Sequence, residues 1–229
     1  MDGTPHEDAH RRSSRRRRVP LVAIAALLLT GGLLLALGTG RQQPAPPRAA
    51  DQGGPSVGAP AAPRSQAPAA EPRAAALPPS RPVSITIPSI EVTSGLEQLG
   101  LGKNRAMETP KDPAKAGWYR PGATPGAIGP SVIAGHVTWD GVPAVFFKLT
   151  ELEPGDRIDV RRADGTTAAF TVDRTATYPK DDFPTVEVYR NLDHAGLRLI
   201  TCGGDYSEDD SRYADNVVVY ASLTGHQPR

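Results

Sequence analysis

The chain contains very little cysteine and few aromatic residues. It contains one cysteine in 229 residues, and only 5% of its residues are aromatic. A chain with one cysteine cannot form an intramolecular disulfide, so a disulfide-stapled scaffold is excluded. Residues 83–224 also lack long helical patterns and are rich in short β-branched runs. This region is long enough to bury a core of its own, and we expect it to form one mainly β domain.

The C-terminal part also lacks a basic patch or stripe. Residues 83–229 carry 15 Lys and Arg against 20 Asp and Glu, a net charge of −5. Residues 1–82 carry 11 against 5, a net charge of +6. Nucleic-acid binding is therefore not expected, because it requires a basic face. The opposite charges instead indicate that the two parts of the chain work in different surroundings.

The N-terminal part begins with a predicted membrane anchor. Residues 1–18 form a basic tail with six arginines, and residues 19–40 carry no charged side chain. As a helix this apolar segment would be about 32 Å long, which is enough to span the hydrocarbon core of a membrane. The arginines predict that its N-terminal end lies in the cytoplasm. A cleaved signal peptide is the alternative, and both interpretations export the rest of the chain.

A linker is predicted between the anchor and the domain. Residues 42–82 contain 11 prolines, 12 alanines and no aromatic residue. Such a composition buries too little apolar surface to fold, so we predict that residues 41–82 are a disordered, extended tether. Residues 225–229 are predicted to be a short tail. The expected location is the cell membrane, with a single span, a cytoplasmic N-terminus and an extracellular domain.

Within the domain, the pattern predicts short strands separated by Gly and Pro turns. Strands are expected at 83–90 (edge-like, because of Pro88), 131–134, 157–160, 168–173, 197–201 and 216–223. Asp164-Gly165 is the turn signal of a hairpin between the third and fourth of these. Residues 100–126 are expected to be loop-rich and residues 142–152 to form a short helix; Pro184 is placed to open another. Such spacing favours a closed or sandwich-like β fold.

The single cysteine, Cys202, ends an apolar run in "LRLITCGG", residues 197–204. A lone thiol in an exported protein is either a buried core residue or a group kept for its reactivity. A reactive thiol needs a basic neighbour, because an unperturbed cysteine has a pKa of about 8.5 and is mostly protonated at neutral pH. His136 is the best candidate, since it ends an apolar strand in "VIAGHVTW". The alternative for His136 is a structural histidine.

Arg212 is the third candidate for the site. It follows Cys202 by ten residues and precedes the last predicted strand, so two strand ends could bring the side chains together. A guanidinium there could stabilise an oxyanion or hold a substrate carbonyl. The alternative is an ion pair with Glu208, Asp209 or Asp210.

These residues, in this order, resemble the sortases, which are cell-wall transpeptidases of Gram-positive bacteria. A histidine ends one strand, "LITC" closes another and an arginine opens the next, behind an N-terminal anchor. The forms "LITCGG" and "AGHV" are most similar to the class F sortases of actinobacteria. The family motif, Thr-Leu-x-Thr-Cys, falls on residues 198–202, and Arg198 departs from it.

The resemblance covers residues 83–224 and implies a closed β-barrel of about eight strands, with one or two short helices and a peptide groove. It implies Cys202 as nucleophile, His136 as general acid/base, Arg212 as oxyanion or substrate stabiliser, and Thr201 as a substrate-binding residue of the groove. The implied substrate is a Leu-Pro-x-Thr-Gly-like sorting signal of secreted proteins, cleaved between Thr and Gly. A cell-wall precursor amine would then accept the acyl group, and no cofactor or metal is implied.

Two alternatives differ in class. A membrane-tethered β-barrel that only binds a partner would keep Cys202 as a core residue, inert to thiol reagents. An L,D-transpeptidase would also be an exported cysteine enzyme, but that group resembles Ser-x-Gly-Cys with a nearby histidine. Here Thr201 precedes the cysteine and His136 is 66 residues away.

Overall fold

The computed structural model of the protein describes residues 74–103 and 105–228. The predicted basic tail, membrane anchor and most of the linker fall on residues 1–73, outside the described residues. Among the residues that are described, no helix combines the length and the apolar character needed to cross a membrane.

Ten strands and one α-helix run through the described part of the chain. The strands are β1 (Pro82–Ile87), β2 (Val92–Leu99), β3 (Ala116–Tyr119), β4 (Gly129–Ala134), β5 (Thr138–Trp139), β6 (Val142–Pro143), β7 (Arg157–Arg162), β8 (Thr167–Pro179), β9 (Ala195–Ser207) and β10 (Arg212–Gln227). The helix is α1 (Thr185–Tyr189), and 3-10 turns lie at Pro88–Ile90, Leu149–Glu151 and Lys180–Asp182.

Eight of these strands close a barrel in the order β1-β2-β3-β4-β9-β10-β8-β7, while β5 and β6 form a separate hairpin. This confirms the expected closed β-barrel of about eight strands with short helices. Strand β9 lies between β4, to which it runs parallel, and β10, to which it runs antiparallel. The strand that carries Cys202 is therefore held on both sides by backbone hydrogen bonds.

Alternate residues of the central strands pack into two apolar layers. Ile133 of β4, Leu199 of β9 and Val219 of β10 belong to the larger cluster, to which all eight barrel strands contribute. This cluster fills the barrel. The residues one position away point outward and form a smaller cluster that includes Val132, Ile200 and the Val188 side chain of α1. Helix α1 thus covers part of the outer face of β4, β9 and β10.

Three expectations about individual elements were wrong. Strand β9 does not end near Cys202 but continues five residues beyond it, because β10 goes on pairing with it as far as Ser207. Residues 142–152 form β6, a turn and a 3-10 turn, rather than a helix. The stretch 100–126 is loop-rich as expected, and the short strand β3 within it pairs with β2 and β4. Strand β1 pairs with β2 and β7, so it is not an edge.

The residues just before β1 lie against the barrel. The Ala74 amide donates to the Leu223 carbonyl at 3.2 Å, and the Leu77 amide donates to the Gly126 carbonyl at 2.8 Å. The buried Arg162 guanidinium donates to the Pro78 carbonyl and pairs with Asp164 at 3.1 Å. The end of the predicted tether is therefore held by the domain from residue 74 onward.

Candidate active site

His136 follows the end of β4, and Cys202 lies on the neighbouring strand β9. Ala134, the last residue of β4, pairs with Ile200 of β9, and the next amide, that of Gly135, donates to the Ile200 carbonyl at 3.0 Å. Two residues further along each chain are His136 and Cys202. Alternate residues of a strand share a face, so Cys202 lies on the same outer face as Ile200, and a continued β4–β9 register predicts that His136 lies beside it.

The His136 ring is held by two contacts. Its Nε2 lies 2.8 Å from the Pro110 carbonyl oxygen. A carbonyl can only accept, so Nε2 carries the proton in this contact, and Nδ1 is the nitrogen that exchanges a proton in the neutral ring. The Trp139 ring packs edge-on against the imidazole, with centroids 4.9 Å apart. The arrangement fixes both the tautomer and the direction of the base.

Thr201 and Gly135 hold the two strand ends together. Thr201 is 4% exposed, and its hydroxyl donates to the Gly135 carbonyl at 2.8 Å. A Cβ on Gly135 would lie 2.6 Å from Phe146 Cδ2, so only glycine lets residues 145–146 pack under this turn. The sequence predicted that Thr201 lines the groove. Its side chain is buried, one residue out of phase with Cys202, and its substrate-binding role stays a prediction.

Cys202 itself is half-buried, in the middle of β9. Gly204, two residues later, has a φ of +75°, and a Cβ there would collide with the Asp215 carboxylate. The glycines after the cysteine therefore serve the close pairing of β9 with β10.

The structure does not bring Arg212 beside Cys202. Arg212 is exposed and pairs across the hairpin with Ser207, whereas Cys202 pairs with Asn216. Asn216 is four residues further along β10, which corresponds to about 13 Å. No ion pair with the acidic residues of the hairpin is seen for Arg212 within residues 74–103 and 105–228. Its role at the site stays a prediction.

A groove cavity of about 900 Å³ lies on the outer face, and its lining includes Asn216, the β10 residue that pairs with Cys202. Val132 of β4 also lines it, together with Met107, Tyr119, Phe183 and Tyr189. Burial raises the pKa of Tyr189, with a smaller contribution from Tyr119, so this side chain stays neutral. Apolar and aromatic side chains in a groove suit an extended peptide with apolar side chains.

Tyr213 lies near the same site, and the sequence reasoning missed it. Its hydroxyl is 2.9 Å from Thr138 Oγ1, in a buried contact. Burial raises the pKa of Tyr213; the Thr138 hydrogen bond lowers it, and the charges of Tyr206 and Cys202 raise it further. A tyrosine that stays protonated next to the thiol adds no competing negative charge.

The structure therefore has a half-buried thiol on β9, and an imidazole held by Pro110 and Trp139 just after the end of the neighbouring strand β4. The predicted roles of Cys202 as nucleophile and His136 as general acid/base require these two side chains to meet, and they stay predictions. A family model described as the sortase domain matches residues 85–224. The chain belongs to the sortase family.

Solved structures agree with the sortase fold. Sortase A from Corynebacterium diphtheriae matches with a TM-score of 0.50 and 21% identity, over 66% of this chain and 63% of that one. Listeria monocytogenes sortase A has a TM-score of 0.49 and 22% identity, over 65% of this chain and 89% of that one. A Clostridium perfringens sortase D5 transpeptidase has a TM-score of 0.47 and 22% identity, over 64% and 79%. No curated protein matches the chain.

Membership of this family makes the protein a cysteine transpeptidase. It also decides against the two alternatives from the sequence, the binding module and the L,D-transpeptidase. Within the described residues, no group of three or more His, Cys, Asp or Glu side chains is arranged to hold a metal ion.

Proposed function

We propose that this sortase cleaves a Leu-Pro-x-Thr-Gly-like sorting signal between Thr and Gly and transfers the acyl group to a cell-wall precursor amine. The observation that carries the proposal is the register of β4, β9 and β10, which brings the segment with His136 next to the strand with Cys202 and places Asn216, the β10 partner of Cys202, in the lining of the groove cavity. The apolar walls of that cavity fit the leucine and proline of such a signal.

The steps follow from the positions of the two side chains. The Cys202 thiolate attacks the threonine carbonyl carbon, and the protonated His136 gives its proton to the departing glycine nitrogen. The threonyl group is then held as a thioester on Sγ. An incoming amine attacks that thioester and passes a proton to His136, and the thiolate leaves. Such a sequence gives ping-pong kinetics, with slow hydrolysis when no amine is present.

Arg212 keeps its predicted role as a cation that contacts the substrate. It stands at the start of β10, and Ser207, Asp210 and Ala214 are among the residues that share its shallow cavity. For its guanidinium to reach the reacting carbonyl, the hairpin between β9 and β10 would have to fold toward the groove when the peptide binds.

The resemblance of "LITCGG" and "AGHV" supports assignment to class F. The apolar segment at residues 19–40, with the arginines before it, supports a single-pass location with the catalytic domain outside the membrane. The proposed partners are thus a secreted substrate protein, a cell-wall amine and the membrane itself.

The test uses the full chain with Leu-Pro-x-Thr-Gly and Leu-Ala-x-Thr-Gly peptides, with and without an amine acceptor. Mass spectrometry should find a thioacyl adduct on Cys202, and the added amine should turn it into an amide product. Cys202→Ala should give no adduct, and His136→Ala should give no turnover. The absence of any adduct or cleavage across a broad peptide library would rule out the proposed substrate class.

A further inference from the structure

The residue that faces the nucleophile across the hairpin is Asn216. We propose that Asn216 is a catalytic residue of this sortase, whose side-chain amide donates a hydrogen bond to the substrate carbonyl oxygen as Cys202 attacks the carbon. The inference deepens the proposed acyl transfer and rests on it. It gives to Asn216 the oxyanion contact that the sequence had led us to expect from Arg212.

The register places Asn216 without ambiguity. The pairs Val219–Leu199, Val218–Ile200 and Val217–Thr201 lead without interruption to Asn216–Cys202. Residues directly opposite in an antiparallel pair project to the same face, with Cβ atoms about 4.5–5.5 Å apart. The shift in register lies beyond this pair, between Tyr213 and Asp215, so it does not move Asn216 away from the thiol.

The side chain of Asn216 is also accessible to a substrate. Asn216 is half-buried and forms part of the floor of the groove cavity. Ile200 and Val218 form the next pair along the strands on the same face and are apolar, while Tyr178 of β8 lies opposite Asn216 on its other side. Among the hydrogen bonds of the described residues, none involves the side-chain amide of Asn216. A bound carbonyl can therefore take its N–H without displacing a protein partner.

A neutral amide is suited to this task. When the Cys202 sulfur attacks, the carbonyl π electrons move to oxygen and create a negative charge there. The Nδ2–H of Asn216 donates to that oxygen without transferring its proton, and the charge returns to the carbon as the leaving group departs. Removal of one such donor in an enzyme typically lowers kcat by about 10²–10³.

The groove offers cations as competitors for this role. Arg105 lines the same cavity from the loop between β2 and β3, and Arg212 lies on the hairpin, four residues from Asn216. Neither pairs with Cys202 in the sheet. Arg105→Ala is therefore a matched control, because it removes a polar side chain from the groove and leaves the Asn216–Cys202 pair intact.

The experiment compares two reactions of Cys202 in the full chain. Iodoacetamide alkylates the thiolate without forming an oxyanion, whereas acylation by p-nitrophenyl acetate or by a sorting peptide passes through one. For Asn216→Ala we expect an alkylation rate within about twofold of the original protein. The acylation rate should fall at least about tenfold with the ester and about 10²–10³-fold with the peptide, mainly in kcat and not in KM.

Asn216→Asp keeps the shape of the side chain but loses the donor, so it should lose acylation at least as strongly as Asn216→Ala. A loss of acylation and alkylation together would show that Asn216 only maintains the site, and would overturn the proposal. A smaller loss of acylation than that of Arg105→Ala would also overturn it. The ester arm still tests Asn216 if no peptide acylates the original protein, an outcome that would refute only the proposed sorting signal.

Discussion

The Thr201→Val substitution tests whether Thr201 positions the nucleophile or binds the peptide. Valine has nearly the shape of threonine but cannot donate the hydrogen bond that joins Thr201 Oγ1 to the Gly135 carbonyl, 2.8 Å away. That bond is buried and links β9, one residue before Cys202, to the turn, one residue before His136. Thr201→Ser is the matched control, because it keeps the hydroxyl and loses only a methyl group.

The magnitude follows from what the substitution leaves behind. The Gly135 carbonyl would lose a buried donor, and a buried acceptor without a partner costs about 1–3 kcal/mol of the free energy of unfolding. For a domain of this size, each kcal/mol lowers Tm by about 2–4 °C. We therefore expect Tm to fall by about 2–12 °C. A misplacement of about 1 Å between reacting groups can cost about 10²-fold in rate, so kcat should fall as well.

The assays are thermal unfolding and steady-state transpeptidation of the full chain. A positioning role predicts that Thr201→Val lowers Tm and kcat and leaves KM within about twofold, whereas Thr201→Ser stays close to the original protein in all three. If Thr201→Val raised KM strongly at unchanged Tm, the side chain would be contacting the peptide. The reasoning from its 4% exposure would then be refuted.

Two further perturbations follow from the same contacts. Gly135→Ala would place a Cβ 2.6 Å from Phe146 Cδ2. We therefore expect the free energy of unfolding to fall by about 1–3 kcal/mol and the alkylation of Cys202 to become slower. An unchanged unfolding free energy together with an unchanged alkylation rate would contradict the packing argument. Burial raises the pKa of Tyr189, Tyr213 and Tyr220, so above pH about 10 the unfolded chain loses these protons first and stability should fall as pH rises. The midpoint of urea unfolding, measured between pH 8 and pH 11, should fall as the pH rises. A midpoint that does not change with pH would contradict this expectation.

The fold could largely be predicted because its signals are local. Asp164-Gly165 predicted the hairpin of β7 and β8, and Gly165 has the positive φ, +88°, that such a turn requires. Pro184 comes directly before α1, as expected. Strand β3 was missed because it has only four residues, Ala116–Tyr119, within a Gly- and Pro-rich stretch. What holds β3 is pairing with β2 and β4, and no local pattern reports that.

The position of Arg212 shows why spacing alone does not define a site. Ten residues separate Cys202 from Arg212, and they would face each other only if the turn were centred at Ser207. The structure instead closes the turn at residues 208–211, where the Ser211 amide donates to the Glu208 carbonyl. The centre of the turn therefore lies about two residues after Ser207, and the residue opposite Cys202 lies four residues after Arg212. The polar run "SEDDS" does indicate that turn, but regular pairing counted back from it leads to Val217. The register shift between Tyr213 and Asp215 is what places Asn216 opposite Cys202, and no local pattern reports that shift.

The site can therefore be understood as one row across three strands. The predicted base, His136, follows the parallel strand β4; the predicted nucleophile, Cys202, lies in the middle of β9; and Asn216 belongs to the antiparallel strand β10. The Cys202–Asn216 pair is fixed within the β9–β10 ladder, and residues on strands are placed more precisely than residues on loops. It is also sensitive to register, because a slip of one residue would turn a side chain to the opposite face. Changes in the length of the exposed turn at residues 208–211 should be tolerated as long as Asn216 stays opposite Cys202. A residue inserted into β9 or β10 between that pair and the turn should be tolerated only if a β-bulge takes up the extra residue and leaves the Asn216–Cys202 register unchanged. The register shift between Tyr213 and Asp215 already absorbs one such irregularity, on the side of the row that faces the turn.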